Sequence, residues 1–422
     1  MKLLWLCNMA PGPVQQMVKK SKKGGLWMDH VLADLRLREN LEIRILCPGP
    51  GENSGSLDGR CSWHTFPKAG QLAVEQSLQD LFSRDLKAYQ PDVVHIWGTE
   101  YGHTLCMMRA CRELGLLDRT VISIQGLCSI YARHYLEGIP YETLKKATLR
   151  DLLRHDRMTQ QQQVFCRRGQ NEEQALQLAR HVIGRTHWDR ACARKLAPEA
   201  EYHFCNETLR EDFYGDVWQY AACEKHRIFA SNCVYPIKGF HYLLEAFAQL
   251  SPKYPDAVLA VPGKNPIPGD FKTRLRQDGY ARYLETLIRK NHLEGRVQFL
   301  GSLSGEEMKQ QYLKANVFVL PSTIENSPNS LGEAMLLGVP CAAADVGGVT
   351  TMLEPDREGI VYQSTAPYML ADAIEKIFAM EDRAETMGKA AALHARKTHD
   401  PEKNLRDLLA IYEKIASGEE SR

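Results

Sequence analysis

Twelve cysteines are scattered through 422 residues without one Cys-x-x-Cys pair, and only Cys106 and Cys111 lie close together. That spacing excludes a zinc knuckle and argues against a secreted disulfide framework, so reduced thiols in a cytoplasmic chain are the expectation. No stretch approaches about 18 apolar residues, and the apolar run in the N-terminal MKLLWLCNMAPG is too short for a signal peptide. The formal net charge is only +1, which argues against a nucleic-acid binder that works by bulk charge. Also missing are Gly-x-Gly-x-x-Gly, a Walker A loop, Gly-x-Ser-x-Gly, His-Glu-x-x-His and any Asp-x-Asp. Dehydrogenase, kinase, serine hydrolase and zincin readings lose their main support, and neither a cofactor nor a metal-bound diphosphate is expected.

What is present is an ordinary globular composition, 44% hydrophobic, and at about 150 residues per domain the length predicts two or three domains. Short β-rich runs recur with helical segments between them. KLLWLC, EIRILCP, DVVHIWG, TVISIQG, HVIGRT and EYHFCN form one series; RIFAS, AVLAVPG, RVQFLG, VFVLPS, CAAADVGG and GIVYQ form a second. Phe240, Leu243, Leu244, Phe247 and Leu250 fall at helical spacing between two of these runs. Near-continuous apolar strands alternating with helices predict parallel sheets covered on both faces, and two series predict two doubly wound domains. The expected division is 1–212 and 213–400, with a helical insertion at about 131–170 in the first domain and a C-terminal helix, 401–422, returning to it. Ligands of such sheets sit at the carboxyl ends of the strands, so two of them facing each other make a cleft.

The stretch IENSPNSLGEAMLLGVP follows a strand and carries two acids, Glu325 and Glu333. Pro328 cannot sit in a helix interior, which puts Glu325 in a loop and Glu333 in a helix. A carboxylate one turn into that helix can accept both hydroxyls of a ribose, but Ser330-x-x-Glu333 equally fits a capping box, and Glu325 equally fits a solvated loop acid. In ASNCVYPIKGFHYLLEAF, Lys238 can neutralise a phosphate and Gly239 permits close backbone approach. Gly24-Gly25, between the first strand and first helix, permit a phosphate near a helix N-terminus or make an ordinary turn. The neighbouring Lys19, Lys20, Lys22 and Lys23 read as a solvated loop that could touch anionic lipid.

Taken together, ENSPNSLGE with EAMLLGVPCAAADVGG, YPIKGFHYLLEAF and KKGGLWMDHVLADL resemble the family 4 retaining glycosyltransferases, which have two Rossmann-like domains in the GT-B arrangement. The resemblance implies transfer of a sugar from a nucleoside diphosphate sugar to a glycan or lipid-linked acceptor, without metal, in cell-surface polysaccharide or glycolipid synthesis. It implies peripheral contact with the inner membrane face and no nucleic acid partner. By resemblance Glu325 meets the transferred sugar, Glu333 the donor ribose and Lys238 the diphosphate. Ser327, Asn329, Ser330 and Leu331 hold the sugar through backbone or side-chain groups, and Gly24 and Gly25 approach the phosphates. Three positions depart from the family pattern: Cys233 replaces a usual arginine, leaving Lys264 as a second base; Gln125 replaces a histidine on the acceptor or donor-sugar side; and Asn326-Ser327-Pro328 replaces Gly-Phe-Gly. A GT-B nucleotide-sugar epimerase and a non-catalytic nucleotide-sugar binder are the alternatives.

Overall fold

The computed structural model describes residues 1–19, 28–68, 70 and 72–418. Gly24, Gly25, Lys20, Lys22 and Lys23 lie outside the described residues. Two compact units result: residues 1–130, 164–210 and 399–422 form one, and residues 131–163 and 211–398 form the other.

The first unit is built on an eight-stranded sheet. Its strands are β1 (Lys2–Cys7), β2 (Glu42–Gly49), β3 (Asn53–Ser56), β4 (Cys61–Pro67), β5 (Val93–Trp97), β6 (Thr120–Ser123), β7 (His181–Gly184) and β8 (Glu201–Phe204), in the order β3-β4-β2-β1-β5-β6-β7-β8. All pairs are parallel except β3 with β4. Neither β3 nor β4 belongs to the runs read from sequence. The polar NSGS of β3 is exposed edge material with no apolar signal to find. Successive side chains of β1 enter opposite layers: Leu4 and Leu6 join one apolar cluster, Leu3, Trp5 and Cys7 the other.

The helix Pro401–Ser417 covers the second of these layers with Leu405, Leu408, Ile411, Tyr412 and Ile415. It starts where Asp400 caps the Lys403 amide and Pro401 takes the first helical position, where its missing N–H costs nothing. Its most deeply set polar atom is the Tyr412 hydroxyl, 3.1 Å from Trp5 Nε1 and 2.5 Å from His95 Nδ1; His95 Nε2 lies 2.7 Å from Ser123 Oγ. Burial pushes the His95 imidazole down to about 3, so the ring is neutral and can accept on one nitrogen while donating from the other.

The second unit carries a six-stranded, all-parallel sheet. Its strands are β9 (Arg227–Phe229), β10 (Val258–Val261), β11 (Val297–Phe299), β12 (Val317–Leu320), β13 (Cys341–Ala344) and β14 (Ile360–Tyr362), in the order β11-β10-β9-β12-β13-β14. Strand order reverses at β9, which has β10 on one side and β12 on the other. Loops after β9 and β12 therefore diverge from a topological switch point, the place where open α/β sheets bind ligands.

Residues 131–163 differ from the sequence reading, which gave 131–170 to the first domain. Their contacts are with the second unit: Thr323 donates to the His134 carbonyl, His241 to the Glu137 carbonyl, and the Gly279 amide to Asp151. In the helix Leu149–Arg154 one charged residue, Asp151, faces inward. Asp151 is 2% exposed, whereas Leu149, Leu152 and Leu153 are at least 48% exposed. A polar face used for docking leaves no hydrophobic pattern from which the partner could be read. Among the described residues, no helix is long and apolar enough to cross a membrane.

The buried hydroxyl–imidazole pair generates a stability prediction. Tyr412→Phe leaves Trp5 Nε1 and His95 Nδ1 without their partner and should cost about 1–3 kcal/mol in denaturant unfolding. A histidine held below its unfolded value contributes stability present above about pH 6.5 and lost as pH falls toward its folded value of about 3. Unfolding free energy should decline across that window, and the His95→Gln protein should decline less.

Candidate functional site

The loop after β9 ends in the turn Pro236–Lys238, followed by Gly239 and the helix Phe240–Leu250. Gly239 has φ +65°, and a Cβ there would sit 1.8 Å from the Pro321 carbonyl oxygen. Only glycine fits. The sequence reading gave this residue to close backbone approach, and the backbone it approaches is that of the β12 loop. Thr323 completes the junction by donating its amide to the Ile237 carbonyl at 2.9 Å. The two loops at the switch point are thus one fastened surface.

Lys238 and Glu325 meet on that surface. Lys238 Nζ donates to Glu325 Oε1 at 2.6 Å, and Ser322 Oγ donates to the same oxygen at 2.7 Å. Glu325 is only 6% exposed. Its own carbonyl accepts the Gly348 amide at 3.1 Å, and Gly347, at φ +51°, passes so close that a Cβ would lie 1.8 Å from that carbonyl oxygen. Carboxylate and backbone are both held, and the remaining oxygen, Oε2, is left for other partners. A buried carboxylate needs such donors, since an unpaired charge in a low-dielectric interior is strongly unfavourable.

Glu333 lies on the helix Asn329–Leu336, whose N-cap is Pro328. Ser330 is therefore inside the helix and not at the cap, and the capping-box alternative does not apply. Glu333 is buried, with Oε2 3.4 Å from the Tyr312 hydroxyl, which donates to the Ser330 carbonyl at 3.0 Å. The Pro328 carbonyl accepts the Leu331 and Gly332 amides. Leu331, wholly buried, is thereby removed as a donor-binding candidate: its side chain is in the core and its amide is already bonded. Asn329 and Ser330, half-buried, supply the first amides of the helix, which have no intrahelical acceptor. Ser327 is half-buried, its hydroxyl 3.5 Å from Met352 Sδ.

Cys233 and Lys264 lie on adjoining loops at the same end of the sheet. Cys233 Sγ is 3.5 Å from the Pro262 carbonyl, and burial pushes its thiol up to about 12. A Cβ on Gly263 would stand 2.9 Å from that sulfur. The position is a packed contact between the loops after β9 and β10. Lys264, one residue beyond Gly263, is exposed.

Gln125 belongs to the first unit, just past β6. Its Nε2 donates to Glu207 at 2.6 Å and its carbonyl accepts Arg185 Nη2 at 3.2 Å; Arg185 and Glu207 are themselves ion-paired. Arg185 and Glu207 line a cavity of about 30 Å³, room for one or two waters and not for a sugar. Gln125 therefore acts first as a strut between two charges.

Sequence reasoning missed Ser322, Tyr312 and the Gly347-Gly348 pair. The glycine pair after a strand was a usable signal. Nothing local marks Ser322 or Tyr312, because their relevance arises only from the carboxylates they face. Gly239→Ala should destabilise the fold by more than about 1 kcal/mol, combining left-handed backbone with the Pro321 clash; thermal unfolding of the variant measures it. Ser322→Ala should be milder, at about 1 kcal/mol.

Residues 222–394, within the second unit, match the family model "Glycosyl transferases group 1". D-inositol 3-phosphate glycosyltransferase of Corynebacterium urealyticum is 27% identical over 179 residues, 42% of this chain and 41% of that protein. Alpha-D-kanosaminyltransferase of Streptomyces kanamyceticus is 30% identical over 155 residues, 37% of each chain. The matched stretch thus spans less than half of either curated relative. Among solved structures, sucrose-phosphate synthase from Thermosynechococcus elongatus superposes with a TM-score of 0.71 at 17% identity, covering 99% of this chain and 100% of that one. Anabaena HepE, in complex with UDP and glucose, gives 0.64 at 17% identity, covering 98% and 99%. The chain has the GT-B fold of two Rossmann-like parallel-sheet domains, and its second domain carries the glycosyl transferases group 1 match.

Proposed function

We propose that this chain is a retaining glycosyltransferase of the family 4 type, moving a sugar from a nucleoside diphosphate sugar to an acceptor hydroxyl. The observation that carries the reading is the Lys238–Glu325 pair at the switch point, with Glu333 at the start of the adjoining helix. Cleaving the bond between the anomeric carbon and the diphosphate oxygen leaves positive character on the sugar and negative charge on the departing diphosphate. Lys238 and the Asn329 and Ser330 amides stabilise the diphosphate. Glu325 orients sugar hydroxyls and Glu333 accepts the ribose hydroxyls. Lys264, exposed on the neighbouring loop, is the second cation.

Glu325 Oε1 and a diphosphate compete for the same ammonium. Donor binding that draws Lys238 toward phosphate frees that oxygen for the sugar, so the two ends of the donor are sensed together. Charge neutralisation by lysine and amides is enough for the chemistry, and the reaction is assigned no metal. Printed names support the donor class: two relatives are glycosyl- or kanosaminyltransferases, and HepE was solved with UDP. Free cysteines support the reading of a cytoplasmic enzyme, and the acceptor in this proposal is a glycan or a lipid-linked precursor. Peripheral contact with the inner membrane face accompanies the lipid-linked case.

Two experiments test this reading. UDP-, GDP-, ADP- and CMP-sugars, each with chelator present, should include one that raises the unfolding temperature; at 100 times its dissociation constant the donor adds about 2.7 kcal/mol. Stabilisation by none, or only after metal addition, would remove the proposal. Glu325→Gln should lower turnover by about a hundredfold or more, while affinity for the free nucleoside diphosphate stays equal or rises because Lys238 loses its competing partner. Wild-type turnover in that variant would end the assignment of Glu325.

A further inference from the structure

A second cluster of chemistry-bearing side chains lies in the first unit, at the amino ends of β7 and β8, whereas Gln125 lies past the carboxyl end of the neighbouring β6. His181 and Glu201 are the first residues of β7 and β8 and are paired across the ladder; His203 follows two residues along β8, on the same face as Glu201. His181 Nδ1 and His203 Nε2 face each other at 3.1 Å, and Glu201 Oε2 stands 3.9 Å from the first and 4.0 Å from the second. These three ligand atoms all lie within 4.8 Å of one another.

We infer that His181, Glu201 and His203 form a zinc-binding site. Zinc bonded tetrahedrally to two imidazoles at about 2.05 Å separates their nitrogens by about 3.3–3.4 Å, so the two rings already stand almost at the required spacing. Bringing Glu201 Oε2 to the same separation needs a movement of about 0.6 Å, small for a side chain that is one-third exposed. Lys414 pairs with the other carboxylate oxygen, Oε1, and leaves Oε2 turned toward the rings. The His181 ring also bonds the Asp118 backbone carbonyl, the outer contact that orients metal-ligating histidines. Two imidazoles with one carboxylate suit zinc and not magnesium or calcium, which take all-oxygen shells. Water completes the fourth position. Bound metal joins β7 to β8, the edge strand, close to where Lys414 on the C-terminal helix is anchored. This site has no part in the glycosyl transfer proposed above.

The test uses the full chain, stripped with chelator and then freed of it. Equilibrium dialysis against zinc should give one tightly bound ion per chain and a raised unfolding temperature. Cobalt substituted for zinc should give the absorption of a tetrahedral nitrogen and oxygen site with no thiolate charge-transfer band, which separates this site from the chain's cysteines in the unaltered protein. His203→Asn and Glu201→Gln should each weaken zinc binding more than about tenfold, whereas Lys414→Gln, which removes a competing cation, should not weaken it. Failure to bind zinc, a thiolate band, or undiminished binding by His181→Asn/His203→Asn would overturn the inference.

Discussion

Oxygen Oε1 of Glu325 is shared by two donors that come from different places in the chain, and the geometry of the whole site hangs on that sharing. Lys238 arrives from the loop after β9 and Ser322 from the loop after β12. The Lys238 contact requires the two loops to be in register, and Gly239 against the Pro321 carbonyl sets that register at a distance no side chain could tolerate. A lysine beside a carboxylate is in one sense ordinary. Here the carboxylate is buried, and removing either donor would leave it without a hydrogen-bond partner it has in the folded chain.

The same constraint explains the composition nearby. β13 reads CAAA and is wholly buried, and two glycines follow it in the loop that closes on the Glu325 backbone. Small residues and glycines let backbone take the place of side chains around the carboxylate. Cys233 belongs to this logic. Its thiol fills the contact between the loops after β9 and β10, where a Cβ on Gly263 would stand 2.9 Å from the sulfur.

The insertion has more bearing on the site than a surface helix would. Residues 131–163 reach Thr323, two positions before Glu325, through the His134 carbonyl, and Gly138 is packed against the Tyr242 ring of the helix that follows Lys238. Both halves of the charged pair are buttressed by the same segment. An apolar-inward pattern would have announced such a segment; hydrogen bonds made by carbonyls and by Asp151 do not.

By itself the sequence determined the alternation of apolar strands with helices, the placing of Lys238 and the two glutamates just past strands, and the loop character forced by Pro328. These depend on side-chain chemistry and short-range period, which a single stretch of chain carries. Tertiary structure alone decided that Lys238 and Glu325, 87 residues apart, share an ion pair, because strand order places β9 beside β12 and no local pattern encodes strand order. It likewise decided that Glu333 faces Tyr312 and closes no cap, that Leu331 is spent on its own helix, that Cys233 is packing, and that His181 and His203 face each other across two strands. In each case the deciding interaction joins residues remote in the chain, and its energy exists only after the sheet has formed.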